Sequence, residues 1–217
     1  MVLEAQELYR FFHSGDEEIK ALRGVNVAFK AGELVGLMGP SGSGKSTLLH
    51  CLAGLDEPDG GMVKVFNEPM TRRPERQRAD LRARYLGLML QKNNVFDHLT
   101  VLQNIRFAQS KRSRAEIDLD EDIAERVGLA QRNDFLPPQL SGGERARAAL
   151  AMAIAADPEI FLLDEPIGQV DMDTEKHLTW MFKRLCESGR CVIVATHNPS
   201  LAAACDRVIT MRDGKVS

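Results

Sequence analysis

The chain has 217 residues, 44% of them hydrophobic and 27% charged, a mix that buries a core at this length without disulfide or metal staples. Its 28 Lys and Arg against 31 Asp and Glu leave a formal charge of −3, which excludes a polyanion binder held by bulk charge. No run of about 18 apolar residues occurs, and Met1 to Ala5 carry no basic-then-apolar signal, so a soluble cytosolic chain is expected.

Residues 2–12 and 21–29 alternate apolar and polar and read as strands. Residues 34–38, Leu-Val-Gly-Leu-Met, form a short apolar run of the kind that a parallel or mixed sheet buries on both faces. A helix follows over 45–55, closed by Gly54. Residues 71–84 hold six arginines diluted by Glu75 and Asp80, and a solvated helix face is favoured over a contact to a partner or to lipid headgroups. A strand over 85–90 precedes Gln91. From about 101 to 156 the patterns are helical, broken at Pro137-Pro138, and no strand is convincing. Within this stretch, residues 116–125 carry six carboxylates and read as a solvated face. Apolar runs return at 160–163 and 191–195, flanking a helical pattern over 173–187 that ends before Gly189. A last strand spans 208–211, with a turn at Asp213-Gly214. Alternating strands and helices argue for an α/β fold with a largely parallel sheet, interrupted by a helical insertion. Cys51, Cys186, Cys191 and Cys205 have no metal-binding spacing and read as buried free thiols.

The sharpest motif is Gly39-Pro40-Ser41-Gly42-Ser43-Gly44-Lys45-Ser46-Thr47. It fits G-x-x-x-x-G-K-[ST], follows an apolar strand and opens a helix, which is the context a phosphate-binding loop requires. Glycines let successive N–H groups converge on one phosphate, and the helix N-terminus adds its positive end. Lys45 should reach the β- and γ-phosphates, and Ser46 should ligate Mg²⁺. The run 160–163 ends in Asp164-Glu165, carboxylates at the carboxyl end of a buried strand, where open α/β sheets bind ligands. Asp164 can orient the Mg²⁺ or its water shell, and Glu165 can polarise an attacking water.

Leu140-Ser141-Gly142-Gly143-Glu144 resembles the signature of ATP-binding cassette ATPases. The other elements of that family follow in order: the phosphate loop, Gln91 as the Q-loop glutamine, the Asp164-Glu165 pair, Asp171 in the D-loop and His197 in the H-loop. The resemblance covers essentially the whole chain. It implies a P-loop NTPase core with a mixed or parallel sheet, an N-terminal antiparallel β subdomain and an inserted helical subdomain. The core is expected over about 1–91 and 157–217, and the helical part over about 92–156. It further implies ATP and Mg²⁺ as ligands, and a head-to-tail homodimer with ATP between the phosphate loop of one copy and Ser141, Gly142 and Gly143 of the other. Ser141-Gly142-Gly143 opens a helix, so it is itself a second anion site of the helix-terminus kind. Glu165 would act as base or water-orienting carboxylate, His197 would contact the γ-phosphate, and Gln91 would complete the Mg²⁺ shell and report to a membrane partner. Phe12 is expected to stack on adenine, with Phe11 or Tyr9 as alternatives, because a one-residue slip exchanges strand faces.

The entry from Phe12 to Glu18, the stretch from Asn94 to Asn104, and the segment from Thr196 to Arg207 are similar to the lipoprotein-releasing and macrolide-export subgroup. Departures are Pro166-Ile167-Gly168-Gln169-Val170 before Asp171, Leu90 before Gln91, the start of the helix after the signature, and Met152. None removes a group assigned to catalysis. The resemblance implies a motor subunit bound peripherally at the cytoplasmic face of the membrane, gripping a helix of a separate permease near Gln91 and Asn93 to Leu99, with no nucleic-acid partner. Its alternative is an ATPase that drives a membrane protein to switch an external enzyme without moving a solute.

Overall fold

The structure, a computed structural model, describes residues 1–14, 17–91, 94–110, 120–167 and 170–216. The sequence readings that fall on Gly15, Asp16, Asn93, Gly168 and Gln169, and most of the acidic stretch 116–125, lie outside the described residues and side chains.

Two long strands, β1 (Leu3–Ser14) and β2 (Glu17–Phe29), pair antiparallel. β3 (Leu34–Met38) leads into α1 (Lys45–Leu52). β4 (Gly60–Val65) returns to pair with β1, and the short β5 (Glu68–Pro69) adds to β4. α2 (Glu75–Tyr85) and β6 (Leu86–Met89) follow. Then come α3 (Val101–Gln109), α4 (Asp120–Arg126) and α5 (Gly142–Ala155). The chain ends with β7 (Ile160–Asp164), α6 (Met172–Glu187), β8 (Cys191–Ala195), α7 (Pro199–Ala204), β9 (Arg207–Arg212) and β10 (Lys215–Val216).

The strands form two sheets, an antiparallel one in the order β2-β1-β4-β5 and a second in the order β10-β9-β3-β8-β7-β6. The second sheet is parallel except for β10 at its edge. This is the α/β P-loop fold with an antiparallel β subdomain that the sequence implied. β7 and β8 are buried along their whole length, so no polar alternation is visible in them.

Two apolar cores flank the parallel sheet. One lies between the antiparallel sheet and the parallel sheet, with Leu48, Leu49, Cys51 and Leu52 of α1 wedged between them. The other joins the opposite face, through Phe161, Leu163, Val192 and Val194, to α3, α4, α5 and α6. The first of these cores fixes the phosphate loop at the carboxyl ends of the strands, because α1 starts there and its apolar side is enclosed in it.

Several elements differ from the sequence reading. The first helix ends at Leu52 rather than at residue 55, because Gly54 takes φ 63 and the following chain turns away. β4 has no counterpart in the sequence reading: it opens on Gly60-Gly61, which looks like a turn, yet Val63 and Val65 are fully buried against β1. The arginine-rich stretch is helical from Glu75 onward, as read, and three of its arginines, Arg78, Arg82 and Arg84, meet acids of the chain. Arg78 reaches Glu57 at 3.1 Å and Glu75 at 2.8 Å, Arg82 pairs with Glu75 and donates to the Gly54 carbonyl at 3.0 Å, and Arg84 faces Glu68 at 3.7 Å. The four cysteines are free thiols, and burial pushes Cys51, Cys186 and Cys191 up to about 12.

Candidate functional site

The loop after β3 is closed by backbone packing. Gly44, the residue before α1, takes φ 103, and a Cβ there would lie 2.4 Å from the Ala21 carbonyl. A Cβ on Gly39 would lie 2.2 Å from the Met211 carbonyl. Only glycine lets this loop lie against β2 and β9. α1 has no side-chain cap, so its first N–H groups are left to an external acceptor. The Lys45 ammonium donates to the Gly39 carbonyl at 2.8 Å and the Pro40 carbonyl at 3.1 Å, which holds it across the mouth of the loop.

Asp164 ends β7 beside this loop. Burial raises its carboxyl above the usual range, opposed by a hydrogen bond from Ser46. Glu165 follows in the left-handed region, at φ 52, and its N–H donates to the Ala195 carbonyl at 2.9 Å. That conformation is costly for a residue with a side chain and turns the carboxylate out of the strand line. Oε1 of Glu165 lies 2.8 Å from Nδ1 of His197, and the buried Thr196 hydroxyl donates to Oε2 at 3.5 Å.

A cavity of about 750 Å³ gathers these groups. Phe12, Gly39, Ser41 through Thr47, Gln91, Asp164, Glu165 and His197 all line it. Its size suits a nucleotide-sized ligand. Of the aromatic alternatives, Phe12 lines the cavity and Phe11 and Tyr9 do not. Sequence reasoning missed Ile19, Lys20 and Arg23 on the start of β2 and Asp213-Gly214, which also line it. No motif marks the β2 residues as site residues, and the turn at Asp213-Gly214 reaches the cavity only through long-range bonds, Gly214 accepting the Arg23 N–H at 2.8 Å and donating to the Ser43 carbonyl at 3.1 Å.

The polar groups fit a hard divalent cation. Oδ2 of Asp164 is buried without a hydrogen-bond partner, and Ser46 and Gln91 line the same cavity. These are oxygen donors, the set that Mg²⁺ takes.

Residues 22–168 match the family model described as ABC transporter. The chain belongs to the ABC transporter family. It is an ATP-binding ATPase cassette. It is 36% identical to the lipoprotein-releasing system ATP-binding protein of Legionella pneumophila (strain Lens), over 100% of this chain and 97% of that protein. It is 37% identical to the macrolide export ATP-binding/permease protein of Chlorobium luteolum, over 99% of this chain but only 33% of that longer protein. Among solved structures it is similar to a dimeric, post-hydrolysis ATP-binding cassette bound to ADP and Pi, with TM-score 0.94 and 32% identity over 99% of this chain and 96% of that one.

Two predicted elements of the cassette do not line the large cavity. Ser141 caps α5: its hydroxyl accepts the Glu144 N–H at 3.3 Å, and Glu144 accepts the Ser141 N–H at 2.9 Å. Gly142 lines a smaller cavity of about 190 Å³ with Gln91, Asp164 and Glu165. Asp171 caps α6, accepting the Asp173 and Thr174 N–H groups at 3.1 and 2.8 Å and the Thr174 hydroxyl at 2.8 Å, and these bonds lower its carboxyl.

Glu144 is also bonded by Arg132 at 2.7 Å. Arg132 first, then the Ser141 N–H, hold its carboxyl at about 2 instead of the ordinary 4.5. A depressed carboxyl stabilises the fold above its unfolded value, and that stability is lost as pH falls through the folded one. The melting temperature of the wild-type cassette should therefore fall more steeply than that of Glu144→Gln between about pH 4.5 and pH 2. Parallel thermal melts across that window check it, and identical slopes would contradict the assignment.

Proposed function

We propose that two copies of this cassette close head to tail around two Mg-ATP and thereby drive a separate permease of the export or lipoprotein-release type. The observation that carries the reading is the division of the predicted site. One cavity of about 750 Å³ holds the phosphate loop, Asp164, Glu165 and His197, while Ser141 and Gly143 stand outside it at the start of another helix. A second helix-terminal anion site on the same chain finds its γ-phosphate on a facing copy. The dimeric state of the related ADP-bound cassette supports this arrangement.

The geometry supports the following roles. Backbone N–H groups and Lys45 hold the phosphates, and Phe12 stacks on adenine. Ser46, Asp164 and Gln91 hold Mg²⁺, which when bound neutralises charge on the phosphate oxygens. Glu165 orients the water and takes its proton. His197, 2.8 Å away, fixes that carboxylate and contacts the γ-phosphate. The residues 1–91 and 157–217 act as core and 92–156 as the arm that carries the signature. Among the described residues no helix is long and apolar enough to cross a membrane, so the reading places the cassette peripherally against a permease at the cytoplasmic face. The relatives are named for lipoprotein release and macrolide export, which favours transport over the switching of an external enzyme.

Ser141→Arg tests the composite site. It should bind ATP with near wild-type affinity yet remain monomeric in ATP and hydrolyse it at least about tenfold more slowly. The lost cap should lower stability by about 1 kcal/mol, which is too little to unfold the chain. Light scattering with and without ATP reads the dimer, and wild-type turnover by a monomeric variant would sink the model.

A further inference from the structure

The aromatic ring at the cavity is not a free side chain. The Arg10 guanidinium lies 4.6 Å from the centroid of the Phe12 ring. Phe12 lines the cavity and Arg10 does not, so the cation sits behind the ring. Asp59, in the turn before β4, fixes it there: one carboxylate oxygen accepts both Arg10 Nη1 at 3.3 Å and the Phe11 N–H at 2.7 Å. Arg10 is mostly covered and its Nε is buried without a hydrogen-bond partner, so the guanidinium meets the ring with little water between them. Phe12 is directly opposite Ile19 on β2, which also lines the cavity.

We propose that Arg10, anchored by Asp59, is a positioning residue that sets the affinity for the base of the nucleotide through Phe12. A cation behind an aromatic ring draws π-density towards itself. The face turned to the cavity is then electron-poor and stacks better on an electron-rich purine. The anchored guanidinium also holds the ring in one rotamer, so less side-chain freedom is lost when the base docks. This inference rests on the reading that Phe12 meets adenine.

The test compares ATP with inorganic tripolyphosphate, which has the phosphates and no base. Arg10→Met keeps length and bulk and removes the charge. It should raise KM for ATP about three- to tenfold, leave kcat at saturating ATP unchanged, and leave the affinity for tripolyphosphate unchanged. Arg10→Lys should recover part of the loss, and Asp59→Asn should move KM in the same direction as Arg10→Met. An unchanged KM in Arg10→Met, or an equal loss of tripolyphosphate affinity, overturns the proposal. Phe12→Ala separates the two levels. If it weakens ATP binding about tenfold while Arg10→Met does nothing, the role of Arg10 falls and the stacking reading stands. If Phe12→Ala leaves ATP affinity unchanged, both fall.

Discussion

Glu165→Gln should bind ATP as the wild type does and hydrolyse it about 10²- to 10⁴-fold more slowly, the range that a positioned base contributes. The substitution keeps the shape of the side chain. The backbone at φ 52 and the Glu165 N–H to Ala195 carbonyl bond of 2.9 Å are untouched, so the geometry survives. What disappears is the negative charge that accepts a proton from water and faces Nδ1 of His197 at 2.8 Å. With hydrolysis blocked and binding intact, ATP should accumulate a closed dimer, visible by size-exclusion chromatography. Steady-state turnover within tenfold of wild type would remove Glu165 from the role of base.

The second large effect is on binding. Lys45→Ala should weaken ATP binding about ten- to hundredfold, because charge-assisted hydrogen bonds to phosphate contribute about 1.5–3 kcal/mol. In the structure the ammonium already sits over the loop, 2.8 Å from the Gly39 carbonyl and 3.1 Å from the Pro40 carbonyl. A phosphate placed on the N–H groups of α1 is therefore met by a cation that needs little rearrangement. Titration calorimetry with ATP reads the change, and a dissociation constant within twofold of wild type would contradict the phosphate-loop assignment.

Much of the site was legible because its parts are local. A phosphate loop needs glycines where the backbone passes close to its neighbours, and Gly39 and Gly44 sit where a Cβ would meet a carbonyl at 2.2 and 2.4 Å. Asp164 and Glu165 could be placed because an apolar run of strand length has one carboxyl end. Other parts were hidden for an equally physical reason. β4 is spelled Gly-Gly-Met-Val-Lys-Val, and its two glycines carry a turn signal that only burial of Val63 and Val65 against β1 overrides. The acid partners of the arginines on α2 include Glu57 and Glu68, which lie outside the helix and answer it only after folding.

The sequence by itself determined the family, the phosphate loop and the chain order of its motifs, because each rests on short-range backbone chemistry. Only the tertiary structure decided which aromatic meets the cavity. Phe11 and Phe12 pair in unbroken register with Lys20 and Ile19, so alternation does turn them opposite ways, but upstream the pairing of β1 with β2 is irregular between Ala5 and Leu8, between Leu8 and Tyr9, and between Arg10 and Phe11. Each such irregularity shifts the register, so counting from the start of the strands does not tell which of the two faces the cavity. The same fold brings Asp59, 49 residues away, under Arg10. That contact is a long-range consequence of β4 pairing with β1, which no local pattern encodes.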